Sequence, residues 1–550
     1  MSGLSHGALD PELRDDEPFD DGAFDPVAAG SPGILSSSTV HDRTQFEANF
    51  DFDVLPPGPG VHKRYEIDTW FFVPHTMGIH EGTYGRDQFF SDLTNYLRLR
   101  TPEDVSFERL DPDHWHLPAL DRYLAAHLDT SARQRMVGLV QQEIRLFGCL
   151  MNTQFKRLLR ETASSEALAM VGRLKSVLDR YRAAYVQRVL TEPLLVDREV
   201  RRALRLVDEY LSYRFEAVAI RCLRPMAREG GALATAFRAW LDDEIRHRAE
   251  ADLVRLDDDA TAPEQAERLN YRLGLLKKYV AEVLFLRVAS VKRERLYRNV
   301  IAAIGAGLAA AWATMADMQR LAMMNDPDLG YRLVVVLAIG VGAYIFKDRI
   351  KELTREWFNE RLKKYLPDFD LRLTFPLFDA DGTMREIALG SAREYMRFLT
   401  REALSPDVLF MRDLGNRPDL DPERHETIIH YSKRLNFEGL LGDHPLHQVR
   451  YIRDVMRLDV SEFLPKLSDP RKTLGYYHPV RGLQTLKAPR VYHVNVVFRY
   501  AVSHLIGTRR IHRDVSYERV RIVMDKEGIL RIDAVVPRGQ LGYLEGGTTP

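Results

Sequence analysis

Two apolar stretches determine the fold that the sequence predicts. They are VIAAIGAGLAAAWATMA, from Val300 to Ala316, and LVVVLAIGVGAYIF, from Leu333 to Phe346. Neither contains a charged residue, and a short polar loop separates them. A membrane-spanning helix needs about 20 mostly apolar residues, and flanking arginines lengthen shorter runs by extending towards the lipid headgroups. The sequence therefore predicts a two-helix transmembrane hairpin over 299–347.

The two predicted spans differ in strength. Branched aliphatic residues in the second run favour insertion by roughly 3 to 5 kcal/mol, whereas the Ala- and Gly-rich first run contributes roughly 1 to 2 kcal/mol. Small residues let membrane helices approach closely. The predicted packing positions are Gly305, Gly307, Gly340 and Gly342, and the predicted interface anchors are Arg298, Arg332, Lys347 and Arg349. A buried hairpin inside a soluble protein is the alternative that such short runs leave open.

The charges around the hairpin predict its orientation. Arg and Lys cluster before residue 299 and after residue 346, whereas the loop between the runs has only Arg320 and Arg332 beside three Asp residues. Because positive charge stays on the cytoplasmic side, both flanking parts are expected in the cytoplasm. Abundant Arg and Ala with little Lys fit a high-GC bacterial genome, and the two cysteines fit a reducing compartment. The expected location is the inner membrane, with a multi-pass topology.

The region before the hairpin is predicted to be mainly helical. Apolar residues at spacings of three and four indicate a helix of an antiparallel bundle; they are Leu204, Val207, Leu211, Phe215, Val218 and Cys222. The capping box at Thr261 to Glu264 begins a helix that is expected to continue without a break to Ala316. Arg86 to Leu99 also has helical spacing.

Strand patterns lie mainly in the last third of the chain. Phe369 to Phe375 alternates and is expected to form a hairpin about Asp381-Gly382, and a helix is expected from Ser391. Val520 to Met524 is predicted to pair with Ile529 to Val535, next to an alternating strand over Tyr492 to Tyr500. Aromatic and β-branched residues around Trp70 predict one more strand, which would join this sheet and bring both ends of the chain into one domain.

The predicted fold class is mainly α with a smaller α+β part: a cytoplasmic helical bundle, a two-helix transmembrane hairpin with a helical stalk, and a C-terminal mixed domain with antiparallel strands. The predicted segments are a disordered acidic tail (1–38), an N-terminal α+β segment (39–117), the helical bundle (118–263), a stalk helix (264–298), the hairpin (299–347), an amphipathic or stalk helix (348–366), the C-terminal α+β domain (367–540) and a frayed tail (541–550).

Two polar patterns resemble metal sites without completing one. Glu244 and His247 have the spacing of a di-iron helix, but the second copy that such a bundle requires is missing, so a solvated charged face is favoured. A group of late histidines is the second pattern: His425, His430, His444, His447 and His478. Pro445 disturbs one pair, and no HExxH motif or cysteine pair supports them as zinc ligands.

These patterns favour a scaffold, sensor or assembly factor of the inner membrane over an enzyme. The alternatives are a membrane-tethered enzyme, such as a metal-dependent hydrolase that uses the late histidines, and an oligomeric channel subunit. The expected partners are the lipid bilayer, further copies of the chain bound through the hairpin, and proteins that the sequence does not specify. A net charge of −1 gives no indication of nucleic acid. No catalytic residue or cofactor is predicted.

Overall fold

A computed structural model gives the fold of the chain. It describes residues 34–54, 61–101, 116–125, 129–160, 165–191, 196–226, 232–254, 263–290, 294–324, 334, 337–338, 340–342, 344–349, 351–353, 356, 366–414, 425–437, 451–507 and 509–536.

The largest element is an antiparallel sheet of eight strands. In spatial order it contains β14 (Gly528–Val536), β13 (Arg509–Asp525), β12 (Tyr492–Ile506), β3 (Val61–Pro74), β8 (Glu426–Phe437), β7 (Met384–Leu399), β6 (Phe369–Phe378) and β5 (Arg287–Ser290). Trp70 of β3 lies opposite Val497 of β12 and His430 of β8. The predicted union of both chain ends in one sheet is thus confirmed.

A second antiparallel sheet packs against the first. Its order is β1 (Ile34–Asp42), β2 (Gln45–Asp53), β9 (Tyr451–Asp459) and β4 (Leu93–Leu99). In β2, every second side chain points at the large sheet: the ring centres of Phe50 and Phe498 lie 5.8 Å apart, and those of Phe52 and Tyr65 lie 4.9 Å apart. Such aromatic contacts combine a large buried area with favourable edge geometry, so they hold the two sheets together.

The described residues form these helices: α1 (Arg86–Asp92), α2 (Pro118–Tyr123), α3 (Thr130–Arg160), α4 (Ser165–Tyr181), α5 (Gln187–Thr191), α6 (Arg198–Met226), α7 (Ala232–Glu250), α8 (Pro263–Ala281), α9 (Glu294–Met324) and α10 (Pro406–Asp413). Helices α2 to α8 form a bundle beside the sheets, whereas α1 packs against β4 and β9, and α10 packs against β12 and β13. A π-helical turn, Arg182–Val186, joins α4 to α5. The predicted stripe on α6 is buried from Leu204 to Cys222, which confirms this helix and its apolar face.

The predicted fold class is wrong, because strands are far more extensive than expected. The described part of the chain contains fourteen strands, eight of them in one sheet, and its fold is therefore α+β with a large antiparallel sheet. Two segments expected to be helical contribute to this: Leu93–Leu99 forms β4, and the segment from Ser391 belongs to β7. Their backbones pair with β9 and β8, and these tertiary hydrogen bonds override the local helical spacing.

The predicted transmembrane hairpin and its stalk are also wrong. None of the helices in the described part of the chain combines the length and apolar character that a bilayer crossing requires. The predicted inner-membrane location and integral membrane function depend on this hairpin, so they are wrong as well. The first run is mostly Ala and Gly, which contribute little to insertion, and α9 also carries Asp317 and Arg320. The second run lies partly outside the described residues. The stalk is interrupted because α8 ends at Ala281 and β5 pairs with β6.

The turn between β6 and β7 connects the large sheet to α3. Gly382 has a φ of +86°, and a Cβ atom built there would lie 2.3 Å from the carbonyl oxygen of Arg135 in α3. Both the positive φ and the close backbone approach favour glycine. The predicted turn at Asp381-Gly382 is confirmed, and it also forms a contact between the sheet and the bundle.

We expect Gly382→Ala to lower the free energy of unfolding by about 2 kcal/mol, because alanine would be strained at this φ and would displace the backbone of α3. Urea denaturation followed by circular dichroism measures this change. Gly475→Ala is the control, since nothing lies within 4 Å of a Cβ at that position. Equal stabilities of the two variants would contradict the role of Gly382.

Candidate functional site

Three of the five predicted histidine ligands lie within the described residues: His425 and His430 at β8, and His478 in the strand Arg471–His478. His430 of β8 stacks on Trp70 with ring centres 4.8 Å apart, and its Nε2 lies 3.2 Å from Asp68. His425 precedes the same strand and stacks on His75 at 5.9 Å. His444 and His447 lie outside the described residues. The described residues contain no group of three or more potential ligands able to hold a metal ion. Zinc binding by the late histidines stays a prediction.

The glycines predicted to pack the hairpin differ in their exposure to solvent. Gly305 is buried, Gly307 is exposed, and Gly340 and Gly342 are half-buried. Lys347 lies 5.8 Å from the ring centre of Tyr344, and Arg349 forms an ion pair of 3.2 Å with Glu352. Arg332 and the side chain of Arg298 lie outside the described residues. The packing roles assigned to the glycines stay predictions.

Glu244 is the centre of a buried ion-pair network instead of part of a solvated face. Arg182, in the π-helical turn, donates two hydrogen bonds of 2.8 Å to its carboxylate, one to each oxygen. Ser212 of α6 donates a third at 2.7 Å. The exposed fraction of Glu244 is 0%, whereas its neighbours Asp242 and Asp243 are exposed. The network therefore ties α4–α5, α6 and α7 together.

His247 belongs to the same network through Asp208. Its Nε2 lies 2.7 Å from Asp208 Oδ2, and Arg182 Nε donates to Oδ1 of the same carboxylate at 2.8 Å. Burial alone would raise the pKa of Asp208, but the hydrogen bond with His247 and the charge of Arg182 outweigh it, and the pKa is lowered. The pKa of Glu244 is lowered in the same way, because bonding to Arg182 outweighs its burial.

Every carboxylate in this network contacts at least one cationic side chain, which fits a structural role. Lys175, Arg182 and Arg248 face carboxylates of Asp179, Asp208, Glu216 and Glu244. Glu244 thus binds the guanidinium of Arg182, and His247, three residues later on α7, contacts the carboxylate of Asp208. The sequence held a signal for it: Asp208 and Ser212 on α6, and Glu244 and Arg248 on α7, each lie four residues apart on one helix face.

We expect Glu244→Gln to lower the free energy of unfolding by about 3 kcal/mol, because it leaves the buried charge of Arg182 undercompensated. Thermal or urea denaturation measures the loss. Asp243→Asn is a matched control on the neighbouring position: its pair with Arg246 is exposed, so the change should stay below about 1 kcal/mol. Similar losses in both variants would mean that the network does not stabilise the bundle.

The same carboxylates predict an acid-dependent loss of stability. Because the pKa values of Asp208 and Glu244 are lower in the folded than in the unfolded protein, the unfolded state binds more protons in acid. Their contribution is fully present above the unfolded values, about 4, and is lost as the pH falls through the folded values. Unfolding free energies measured from pH 7 to pH 3 should fall less steeply for Glu244→Gln than for Asp243→Asn. Parallel curves would contradict this linkage.

A β-hairpin that is exposed along almost its whole length is our candidate functional site. We call residues 471–489 the docking arm. It consists of β10 (Arg471–His478) and β11 (Gly482–Pro489), which pair with each other from Arg471 opposite Pro489 to His478 opposite Gly482. Within the described residues no other strand joins this two-stranded sheet. Nearly all of its side chains are exposed on both faces.

The docking arm is fixed at its base and at its turn. At the base, Arg490 N donates to Pro470 O at 2.8 Å, and Ser468 N donates to the hydroxyl of Tyr492 at 3.2 Å. At the turn, His478 Nδ1 accepts hydrogen bonds from the backbone of Val480 and Arg481 at 3.2 and 3.3 Å. The predicted metal ligand His478 thus shapes the turn in this structure.

The surface of the docking arm combines positive charge with exposed apolar groups. From Pro470 to Arg490 the chain contains no Asp or Glu, and its basic residues are Arg471, Lys472, Arg481, Lys487 and Arg490. At the far end Val480 and Leu483 are 87% and 86% exposed, and Tyr477 is 71% exposed. The overall charge of −1 does not reveal this local excess of positive charge. A search of the sequence for segments without acidic residues identifies it.

Comparisons with known proteins add no family or relative. No protein-family model matches the chain, and neither the curated proteins nor the solved structures include a significant match.

Proposed function

We propose that the protein is a binding protein whose docking arm attaches to an anionic lipid surface. The observation that carries this proposal is the fully exposed apolar pair Val480 and Leu483 at the end of a hairpin that contains basic residues and no acidic ones. The docking arm would contact the headgroup layer of the lipid.

Electrostatic attraction supplies one part of the binding energy. Near a negatively charged lipid surface each Lys or Arg contributes about 1 kcal/mol. The five basic residues between Pro470 and Arg490 would therefore contribute up to about 5 kcal/mol. The arm carries this charge on both faces, since Lys472 and Lys487 occupy opposite sides of the ribbon in the paired register. Salt should weaken this part of the attraction.

Apolar insertion supplies the second part and favours lipid over nucleic acid. Transfer of Val480 and Leu483 out of water contributes roughly 1.5 to 3 kcal/mol for each fully buried side chain. Tyr477 lies directly opposite Leu483, and tyrosine is enriched where lipid headgroups meet hydrocarbon. A phosphate backbone would use the basic residues but would leave the two aliphatic side chains in water. Lipid satisfies both features of the arm.

The test is co-sedimentation of the full chain with phosphatidylcholine vesicles that contain 30% or no phosphatidylserine. We expect binding to the anionic vesicles, weaker at high salt. Lys472→Gln/Lys487→Gln should weaken this binding at least tenfold through lost attraction, and Val480→Ser/Leu483→Ser should do so through lost insertion. All four positions are exposed in the fold, so circular dichroism should stay unchanged.

The control Tyr271→Ser/Lys278→Gln removes an exposed aromatic and an exposed lysine from α8, outside the docking arm. It should bind as the unchanged protein does. Equal binding to neutral vesicles, or a loss of equal size in the control, would overturn the proposal. So would binding of a 25-base-pair DNA duplex through the arm together with no binding to anionic vesicles.

A further inference from the structure

The second unusual surface is a helical hairpin with large apolar side chains facing outwards. On α9, Val300, Ile304, Leu308, Trp312 and Met315 are 42 to 61% exposed. On the returning helical segment, Leu337, Val341, Ile345 and Phe346 are 55 to 65% exposed. The rings of Trp312 and Phe346 contact each other with centres 6.1 Å apart, so the two segments meet at this point. We call these nine residues the apolar hairpin patch.

The size of this patch calls for a partner. Half-exposed side chains of this size present roughly 100 Å2 each, so the nine residues together expose on the order of 900 Å2. The largest apolar patch of a typical monomer is about 300–600 Å2. A stable interface between two proteins buries about 800 Å2 on each side. The exposed area therefore matches what one face of a dimer would cover.

We propose that a second copy of this chain covers the apolar hairpin patch. A two-fold dimer requires one surface to supply both the projecting groups and the spaces that receive them. On α9 the large side chains of Ile304 and Leu308 flank Gly307, where nothing lies within 4 Å of a Cβ position. Gly342, next to Val341, also has nothing within 4 Å of a Cβ position. The patch thus offers both the apolar side chains and the open glycine positions that such a dimer would use.

The expected assembly is a bundle of four helical segments, two from each copy. Apolar side chains of one hairpin would pack over the glycines of the other, at the close helix separation that small residues allow. Other occupants would not need this combination: a lipid surface would cover the large side chains without requiring an open glycine beside them. A large side chain at Gly307 should therefore disrupt contact with a second copy and leave contact with lipid intact.

Gly307→Leu tests this interface with little disturbance of the single chain, because the new side chain enters open space. We expect the unchanged protein to sediment as a dimer in detergent-free buffer, and Gly307→Leu to raise the dissociation constant at least tenfold. Gly274→Leu is the matched control: this glycine is also helical, has nothing within 4 Å of a Cβ and lies on α8, outside the patch. It should remain dimeric.

Leu308→Ser provides a second variant, since this side chain is 51% exposed and its loss leaves no cavity in the monomer. It should also weaken the dimer. A monomer at all concentrations, an open-ended aggregate, or a dimer that neither variant weakens would overturn the proposal. Vesicle binding by the docking arm is measured separately, so either proposal can fail without the other.

Discussion

Strand β3 is the element on which the rest of the structure depends. It lies between β8 and β12, and its residues pair with strands more than 350 positions later in the chain: Asp68, for example, contacts His430 across 362 residues. The large sheet can therefore close only after most of the chain is made. Contacts of this separation carry a high entropic cost before they stabilise anything, so folding should be slow compared with the bundle alone. Helices α2 to α8 form one insertion in the chain, between β4 of the second sheet and β5 of the large sheet.

Buried charges are the second constraint, and both layers of the protein contain them. Between the two sheets, Lys433 of β8 donates to Asp454 of β9 at 2.8 Å and lies 3.4 Å from Glu394 of β7. Burial would lower the pKa of Lys433, but these carboxylates raise it and keep the lysine charged. Such pairs often add little net stability compared with apolar residues, yet they penalise any arrangement that separates the partners. In the bundle, Arg182 and Glu244 impose the same requirement on three helices.

The sequence predicts those parts of the fold in which local pattern and tertiary environment agree. The strands over Phe369–Phe378 and Tyr492–Ile506 alternate and end at turns, and the apolar stripe of α6 is continuous. β2 is not predicted, although Phe46, Ala48, Phe50 and Phe52 alternate with polar residues, because charged side chains such as Glu47 and Asp51 are uncommon in a strand buried on both faces. Both are buried against arginines of β9, with Arg453 2.7 Å from Asp51. The docking arm was missed because its charge cancels in the whole-chain total. The two apolar runs, Val300 to Ala316 and Leu333 to Phe346, are evident from their composition, but composition alone does not identify what covers them.

The two proposed surfaces would reinforce each other. A docking arm on a single chain binds lipid with the energy of one small contact, from which the cost of immobilising the protein is subtracted. A dimer formed through the apolar hairpin patch would carry two arms, and once the first is bound the second acts at a high effective concentration. This gain requires that both arms reach the same surface. A monomer, which has one arm, would attach to lipid more weakly than a dimer. Assembly and attachment would therefore be coupled without any change in the arm itself.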